Sequence, residues 1–471
     1  MTALDEPHAA EFEEPPTPRH GPLTGTRVLD LSHIASGPFA TMLLADLGAD
    51  VIKVERAGAG DGARQMDRSL QDGDSGYYLG LNKNKRSIAL DLRTTEGRNT
   101  VRALAPNADV FVENFRPGAA ARMRLGYDDV RAIRPDIVYC SITGFGASGP
   151  LRDTVAYDIV GQAFSGIMSI TGDPDRPPVK CGAPIADLTS GMFATIGILA
   201  ALRHRDQTGS GQHVGTSLLG ASAALLASYL TSHAMGTPFH PLGSAHNTLA
   251  PYQAFTGSDG TYFILAAGND TFFAKTTEIL GLTTLTQDPR YATNPARTQH
   301  RQALAQILHT EFAKQTAGHW LATLADIGVP AGPINTIDDL ANHEQMRAND
   351  YITDIAHPRI GALPVINTPL TFSATPVTVR RPPPRLDGTA QRYAPSPPAS
   401  APGSPRTTDL RRGQRSPAVH DASTDPGTHT THSQTRQQPL TRSPGSSSPQ
   451  NCPESPTRAS RPLSNHRADT H

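Results

Sequence analysis

The sequence predicts an α/β fold built on a parallel sheet. Three observations predict it. A strand–helix–strand unit opens the apolar part of the chain, the same alternation repeats over the next hundred or so residues, and 471 residues suffice for a large core and more than one domain. Residues 1–21 come first, an acidic, Pro-bearing flexible leader without the basic start and apolar centre of a signal peptide. TRVLDLS is the first strand and HIASGP the turn after it. FATMLLADLGA has helical spacing through Phe39, Met42, Leu43 and Leu47, with Gly48 placed to end the helix. DVIKVE is the second strand and completes a Rossmann-like βαβ unit.

The alternation continues with strand RSIALDL, helix TEGRNTVRALAP and strand ADVFVENF. Helical GAAARMRLG and YDDVRAIRP lead into strand DIVYCSITGFG. Helices are predicted from Thr189 to about Arg205 and from Gly215 to His233. GTYFILAAG reads as a strand, and DTFFAKTTEILG and HRQALAQILHTEFAKQTAGHWLATLADIG as helical. Residues 334–370 are mixed, with a helical IDDLANHEQMRAND. Between helical runs lies YDIVGQAFSGIMSITGDPDRPPVKCGAPIADLTSG, rich in Gly and Pro. Beyond Arg385 there is no Phe, Ile, Met or Trp, so residues 385–471 cannot bury enough apolar surface to offset their chain entropy and read as a disordered tail. The five His in that tail are scattered and form no metal pattern.

The net charge of −1 gives no case for nucleic acid as a partner. It conceals an asymmetry: residues 385–471 hold 11 Arg against six acids, so the remainder is acidic. An anionic ligand must therefore be met by local charge. No stretch approaches 18 uninterrupted apolar residues, so no membrane span is expected. Cys140, Cys181 and Cys452 form no CxxC pattern and suit a reducing cytoplasm.

Glu55 ends the second strand where a dinucleotide fold places its ribose acid, but SHIASGP lacks the glycines that let a pyrophosphate approach, so NAD is not expected. Basic residues recur instead at strand ends: Lys53 and Arg56, then Lys83, Lys85, Arg86 and Arg93, then Arg116 and Arg122 beside Asn114 and Phe115. In a parallel sheet such ends share one edge, where guanidinium groups and helix N-termini suit phosphate. Phe115 could cover a purine or a pantetheine arm. Each cluster alone also reads as a solvated face.

Asp187 in APIADLTSGMFATIGILAAL has two readings: a helix cap, or a nucleophile toward an acyl thioester, with helix N–H groups supporting the developing charge. A carboxylate is ionised at neutral pH and needs no base beside it. No GxSxG elbow and no HExxH array is present, and Cys140 sits in an apolar strand as a core residue.

Taken together, PLTGTRVLDLSHIASGPFATMLLADLGADVIKVERAGAGD, NKRSIALDL, ADVFVENFRPGAAARMRLGYDDV, VYCSITGFGASGP, YDIVGQAFSGIMSITGD, ADLTSGMFATIGILAALRHRDQTGSGQHV and GVPAGPINTIDDL resemble the family III CoA-transferases, from about Leu23 to Pro384. The resemblance implies a Rossmann-like large domain plus a smaller domain, in a homodimer of interlocked rings. It implies residues 22–215 as the first part of the large domain, 216–330 as linker helix and small domain, and 331–384 as the return to the large domain. It implies that Asp187 is the nucleophile, and that coenzyme A contacts fall on Ile34, Ala35, Arg56, Asp91, Leu92, Arg93, Thr94, Asn114, Phe115, Arg116, Arg122, Tyr157 and Asp158. Its reaction moves CoA between an acyl-CoA and a free carboxylic acid through an aspartyl mixed anhydride and an aspartyl-CoA thioester. No metal or prosthetic group is implied. Related racemases carry a His where Tyr157 stands, which argues against two-base proton transfer. A non-catalytic CoA-binding protein is the remaining alternative. The region of the tetraglycine loop of formyl-CoA transferases reads LGSAHNTLAPY here, and Gly243, Ser244, His246 and Asn247 are candidates to line the acyl site. The family's closing helix is replaced after PPPRLDG by the polar tail.

Overall fold

The computed structural model describes residues 21–66 and 74–388. The leader and nearly all of the tail lie outside them. The order is β1 Arg27–Asp30, α1 Ser36–Asp46, β2 Asp50–Arg56, α2 Gly76–Leu81, β3 Lys85–Leu90, α3 Thr95–Leu104, β4 Val110–Glu113, α4 Ala119–Arg122, α5 Tyr127–Arg131 and β5 Val138–Thr143. Then come α6 Asp158–Ser165, α7 Ile185–Thr208, β6 His213–Ser217, α8 Leu218–Ala224 and α9 Ala227–Ala234. β7 Tyr252–Thr256, β8 Tyr262–Ala266, α10 Asp270–Ile279, α11 Asn294–Gln299, α12 Arg301–Phe312, α13 Ala317–Asp326 and β9 Ala331–Pro333 follow. α14 Ile337–Asn342, α15 Glu344–Ala348, β10 Ile352–His357 and β11 Gly361–Ile366 complete the series.

β1 to β6 form one sheet in the order 3-2-1-4-5-6, with every pairing parallel. Successive residues of a strand point to opposite faces, and both faces are apolar. Val28, Val51, Val110, Val112, Val138 and Cys140 pack with α1 and α7. Leu29, Ile52, Ile88, Phe111 and Tyr139 pack with α3 and α5. A separate core gathers Phe255, Phe263, Phe312, Trp320 and Leu324 over the antiparallel β7–β8–β9 sheet. β10 and β11 form a hairpin.

The Gly- and Ala-rich face of α7 is a packing device. A Cβ at Gly191 would lie 2.6 Å from the carbonyl oxygen of Ser36, and one at Gly197 would lie 2.6 Å from Val214 Cγ1. α7 is long and apolar enough to cross a membrane, a property that the uninterrupted-run criterion misses, but half of it is buried inside this fold against α1 and the sheet.

Several boundaries differ from expectation. α7 starts at Ile185, four residues before the predicted Thr189, so Asp187 lies inside its first turn. Residues 158–165 are helical, not connection. The predicted 215–233 helix is an edge strand, β6, and two short helices. An edge strand with His213 and Gly215 exposed carries no apolar run to betray it. Contacts with β3 continue past residue 385: the Asp387 carboxylate accepts the Ala89 N–H at 2.9 Å.

Candidate active site

The strand order reverses between β1 and β4, and both strands end at the same sheet edge. Ligands in open parallel sheets bind at such a switch point. Here the two following turns meet. His33 N–H donates to Asn114 Oδ1 at 2.8 Å, and Asn114 Nδ2 donates to the His33 carbonyl at 2.8 Å. On the other side Ile34 N–H donates to Asp61 Oδ1 at 3.0 Å, and Asp61 is ion-paired with buried Lys53 at 2.8 Å. These contacts hold Ile34 at φ +69°, a left-handed conformation that is strained for a β-branched residue. The strained turn ends at Ala35, and α1 starts there with no side chain capping it, leaving first-turn N–H groups for an anion.

A cavity of about 230 Å³ lies at this junction. Ile34, Ala35, Asn114, Phe115, Arg116, Tyr157 and Asp187 all line it. His33 lines it as well, its ring 5.8 Å from that of Phe115, and burial followed by the charge of Lys53 pulls the His33 pKa down, toward the neutral imidazole.

Asp187 is not a cap. The N-cap of α7 is Pro184, which offers no side-chain acceptor, and Asp187 stands in the first turn. The Ala186 and Asp187 N–H groups donate to Asp158 Oδ1 from α6, at 2.8 and 3.3 Å. Burial, then the charge of Asp158, pushes the Asp187 carboxyl up to about 7. The expectation of a fully ionised carboxylate at neutral pH is thereby corrected: near pH 7 ionised and protonated forms of Asp187 coexist. Tyr77 is close enough to feel both acids, and its phenol is pushed up to about 12, first by burial and then by Asp187 and Asp158.

Other predicted residues stand apart from the cavity lining. Arg56 ends β2 exposed. Asp91 and Arg93 pair with each other at 2.8 Å, Leu92 packs on the core beneath, and Thr94 caps α3. Arg122 ends α4, exposed. The basic clusters read as phosphate ligands are largely internal. Lys53 pairs with Asp61, Lys83 with Asp46, Lys85 with Asp30 at 3.1 Å and Arg86 with Asp50. Glu55, read as a possible ribose acid, is buried and ion-paired with Arg64 at 2.7 Å. Lys83, Lys85 and Arg86 sit far from their acids in sequence, so those pairings are invisible there. The loop residues Gly243, Ser244, His246 and Asn247 are outside the cavity lining; Arg301 grips the His246 and Asn247 carbonyls at 2.6 Å each.

Sequence reading passed over His33, Tyr77 and Gln162. Gln162 is fully buried; its amide donates to Asp158 Oδ2 at 2.6 Å and its carbonyl accepts the Cys181 N–H at 2.9 Å. The one available signal was position: His33 lies in the turn at the switch point. Burial pushes the Cys140 thiol up to about 12, as befits a core residue. Among the described residues no cluster of His, Cys, Asp and Glu could hold a metal ion.

Comparison with known proteins bears on this geometry. The family model described as CoA-transferase family III matches residues 23–389. The chain is 41% identical over 366 residues to a succinyl-CoA:glutarate CoA-transferase of Mus musculus, covering 78% of this chain and 84% of that protein. It is 40% identical over 378 residues to a succinate–glutarate CoA-transferase of Agrobacterium fabrum, covering 78% and 94%. A crystal structure of a CAIB/BAIF family protein from Brucella suis superposes with a TM-score of 0.72 at 40% identity, over 79% of this chain and 99% of that one.

Proposed function

This chain belongs to CoA-transferase family III, and from that membership we propose that Asp187 carries the acyl group while CoA passes from an acyl-CoA to a free carboxylic acid. The observation that carries the reading is the placement of a part-buried carboxylate on the wall of the switch-point cavity, which an uncapped helix start also lines. The Asp187 carboxylate attacks the thioester carbonyl and expels CoA thiolate, forming a mixed anhydride. The thiolate then attacks the Asp187 carbonyl, the donor acid leaves as its carboxylate, and an aspartyl-CoA thioester remains. The acceptor carboxylate attacks that thioester and expels the thiolate. The thiolate takes the acceptor's acyl carbon and frees Asp187. Each step breaks one acyl bond and makes another, so no electrons are exchanged.

The uncapped first turn of α1 and the Arg116 guanidinium supply positive charge to the anionic nucleotide end of CoA, and Phe115 a flat apolar wall. Arg56, Asp91–Thr94 and Arg122, at successive ends of the same sheet, extend that path beyond the cavity. The relatives' names make succinyl-CoA with a short dicarboxylic acid the first donor–acceptor pair to test.

We also assign a homodimer. α6, α7 and α9 leave Ile159, Phe164, Phe193, Ile196 and Leu230 exposed, Ile196 by 60% and Leu230 by 71%. Apolar exposure of this extent suits coverage by a second copy; light scattering would read the mass directly.

Incubation with succinyl-CoA followed by hydroxylamine or borohydride, then peptide mass spectrometry, is expected to mark Asp187. Transfer at an unchanged rate by Asp187→Ala would remove the reading. Deuterium entering the α-carbon of an acyl-CoA without acceptor acid would instead favour proton-transfer chemistry.

A further inference from the structure

Asp158 accepts the backbone N–H of Asp187 and its charge acts on the Asp187 carboxyl, yet the reaction as written gives it no task. Its position is fixed at both oxygens. Oδ1 receives the Ala186 and Asp187 N–H groups, at 2.8 and 3.3 Å, and Oδ2 receives the Gln162 amide at 2.6 Å. Gln162 is itself fully buried and tied to the Cys181 N–H. Asp158 therefore does the capping that Pro184 cannot, from a different helix. No ion pair involves Asp158 among the described residues, and its charge bears on the Asp187 carboxyl at the α7 N-terminus.

We propose that Asp158 is a positioning residue for Asp187, setting the first turn of α7 and holding a negative charge that favours every covalent, uncharged form of Asp187. This rests on the reading of Asp187 as the acyl carrier. The physical argument is symmetrical. Protonation, anhydride formation and thioester formation each remove the charge of Asp187. Repulsion from a fixed neighbour disfavours the free carboxylate against all three. The rise of the Asp187 pKa and a bias toward the covalent intermediates are two readouts of one interaction. The same bias makes Asp187 the more basic, hence stronger, oxygen nucleophile.

The titratable and charged groups facing Asp187 are few. Asp158 comes from α6 and Tyr77 from α2, and His33, Arg116 and Tyr157 share its cavity. Tyr77 stays neutral through the working range, since its phenol lies near 12. Lys180, the nearest lysine in sequence, is turned to the Cys181 and Gly182 carbonyls.

The test compares Asp158→Asn and Asp158→Glu with the wild-type protein, using succinyl-CoA as donor and glutarate as acceptor. Three quantities are read: kcat/KM against pH, the split between kcat and KM, and the fraction of Asp187 trapped by hydroxylamine at saturating donor. For D158N the acid limb is expected to move down by about one pH unit. The trapped fraction falls, and kcat drops by roughly 10-fold or more with KM changed far less. D158E keeps the charge, so its limb stays near the wild-type position even if kcat suffers. A residue that merely contacted CoA would raise KM and leave the limb in place. An unmoved limb with an unchanged trapped fraction in D158N overturns the proposal, as does an equal shift in both variants. If D158N does not fold, as read by its melting curve, D158E decides alone, since a displaced limb in that charge-preserving variant also overturns it. Failure of the underlying reading looks different: no adduct at Asp187 in the wild type.

Discussion

Asn114 and His33 exchange two hydrogen bonds, both of 2.8 Å, across the point where the strand order reverses. The pair joins the turn after β4 to the turn after β1 and so fixes the mouth of the cavity. Asn114→Ala removes both bonds and strands the His33 N–H and carbonyl. An unsatisfied polar group costs about 1–3 kcal/mol. The expected result is a loss of stability of that order in urea titration, with KM for acyl-CoA raised more than kcat is lowered. An unchanged KM would show that the turn holds its shape without the pair.

Asp187 predicts a pH dependence of stability as well as of rate. Its folded pKa, about 7, lies above the ordinary 3.8, so the folded chain binds more protons than the unfolded chain between those values. Stability therefore falls as pH rises through that window, and the loss is complete above it. The full displacement corresponds to roughly 4 kcal/mol, which solvent at a part-exposed carboxyl reduces to about 1–2 kcal/mol. Asp187→Asn is thus expected to unfold at higher denaturant than wild type at pH 8, with the gain vanishing near pH 4. In the wild type kcat/KM falls as pH drops below about 7, because protonation removes the nucleophile. Equal stability of the two proteins at pH 8 would count against the shifted pKa.

How much of this could be read from the chain depends on range. β1, α1, β2 and the later alternation are local periodicities, and the spacing of Phe39, Met42, Leu43 and Leu47 places α1 within three residues of its start. Asp187 was visible as an acid ahead of an apolar run. Its environment was not, because the partner that caps its helix and repels its charge is Asp158, separated by 28 residues and one irregular segment. The strand-end lysines mislead for the same reason. Lys83 and Asp46, or Lys85 and Asp30, are far apart in sequence and adjacent only once β3, β2 and β1 pair.

Gly191 tests the close approach of α7 and α1. A Cβ there would lie 2.6 Å from the Ser36 carbonyl oxygen and 3.1 Å from a Phe39 ring carbon. Backbone cannot yield as a flexible side chain can, so Gly191→Ala must push α1 and α7 apart. Overpacking of this kind costs about 1–3 kcal/mol. It also displaces the first turn of α1 at the cavity. Lower thermal stability together with weaker CoA binding by calorimetry is expected. Gly182→Ala, where a Cβ meets nothing within 4 Å, serves as the control.

The final prediction concerns the return of the chain to β3. Asn84 Oδ1 accepts the Arg380 and Arg381 N–H groups at 2.6 and 3.0 Å, and the Asn84 N–H reaches the Arg381 carbonyl at 3.0 Å. Arg64 donates to the Pro384 carbonyl at 3.1 Å, and Asp387 accepts the Ala89 N–H along the otherwise open edge of β3. All of these contacts lie within the family match, which runs to residue 389. A chain stopped after Gly388 keeps them all, whereas one stopped after Val379 loses all of them and strands the Asn84 N–H and Oδ1, leaving only the bond from Asn84 Nδ2 to Asp46. At about 1 kcal/mol for each bond, the shorter chain loses several kcal/mol. The longer chain is expected to melt and to transfer CoA as the full protein does, and the shorter to melt well below it. If the chain ending at Gly388 folds but no longer transfers CoA, residues 389–471 take part in the site, and a reaction built from the cavity residues alone is incomplete.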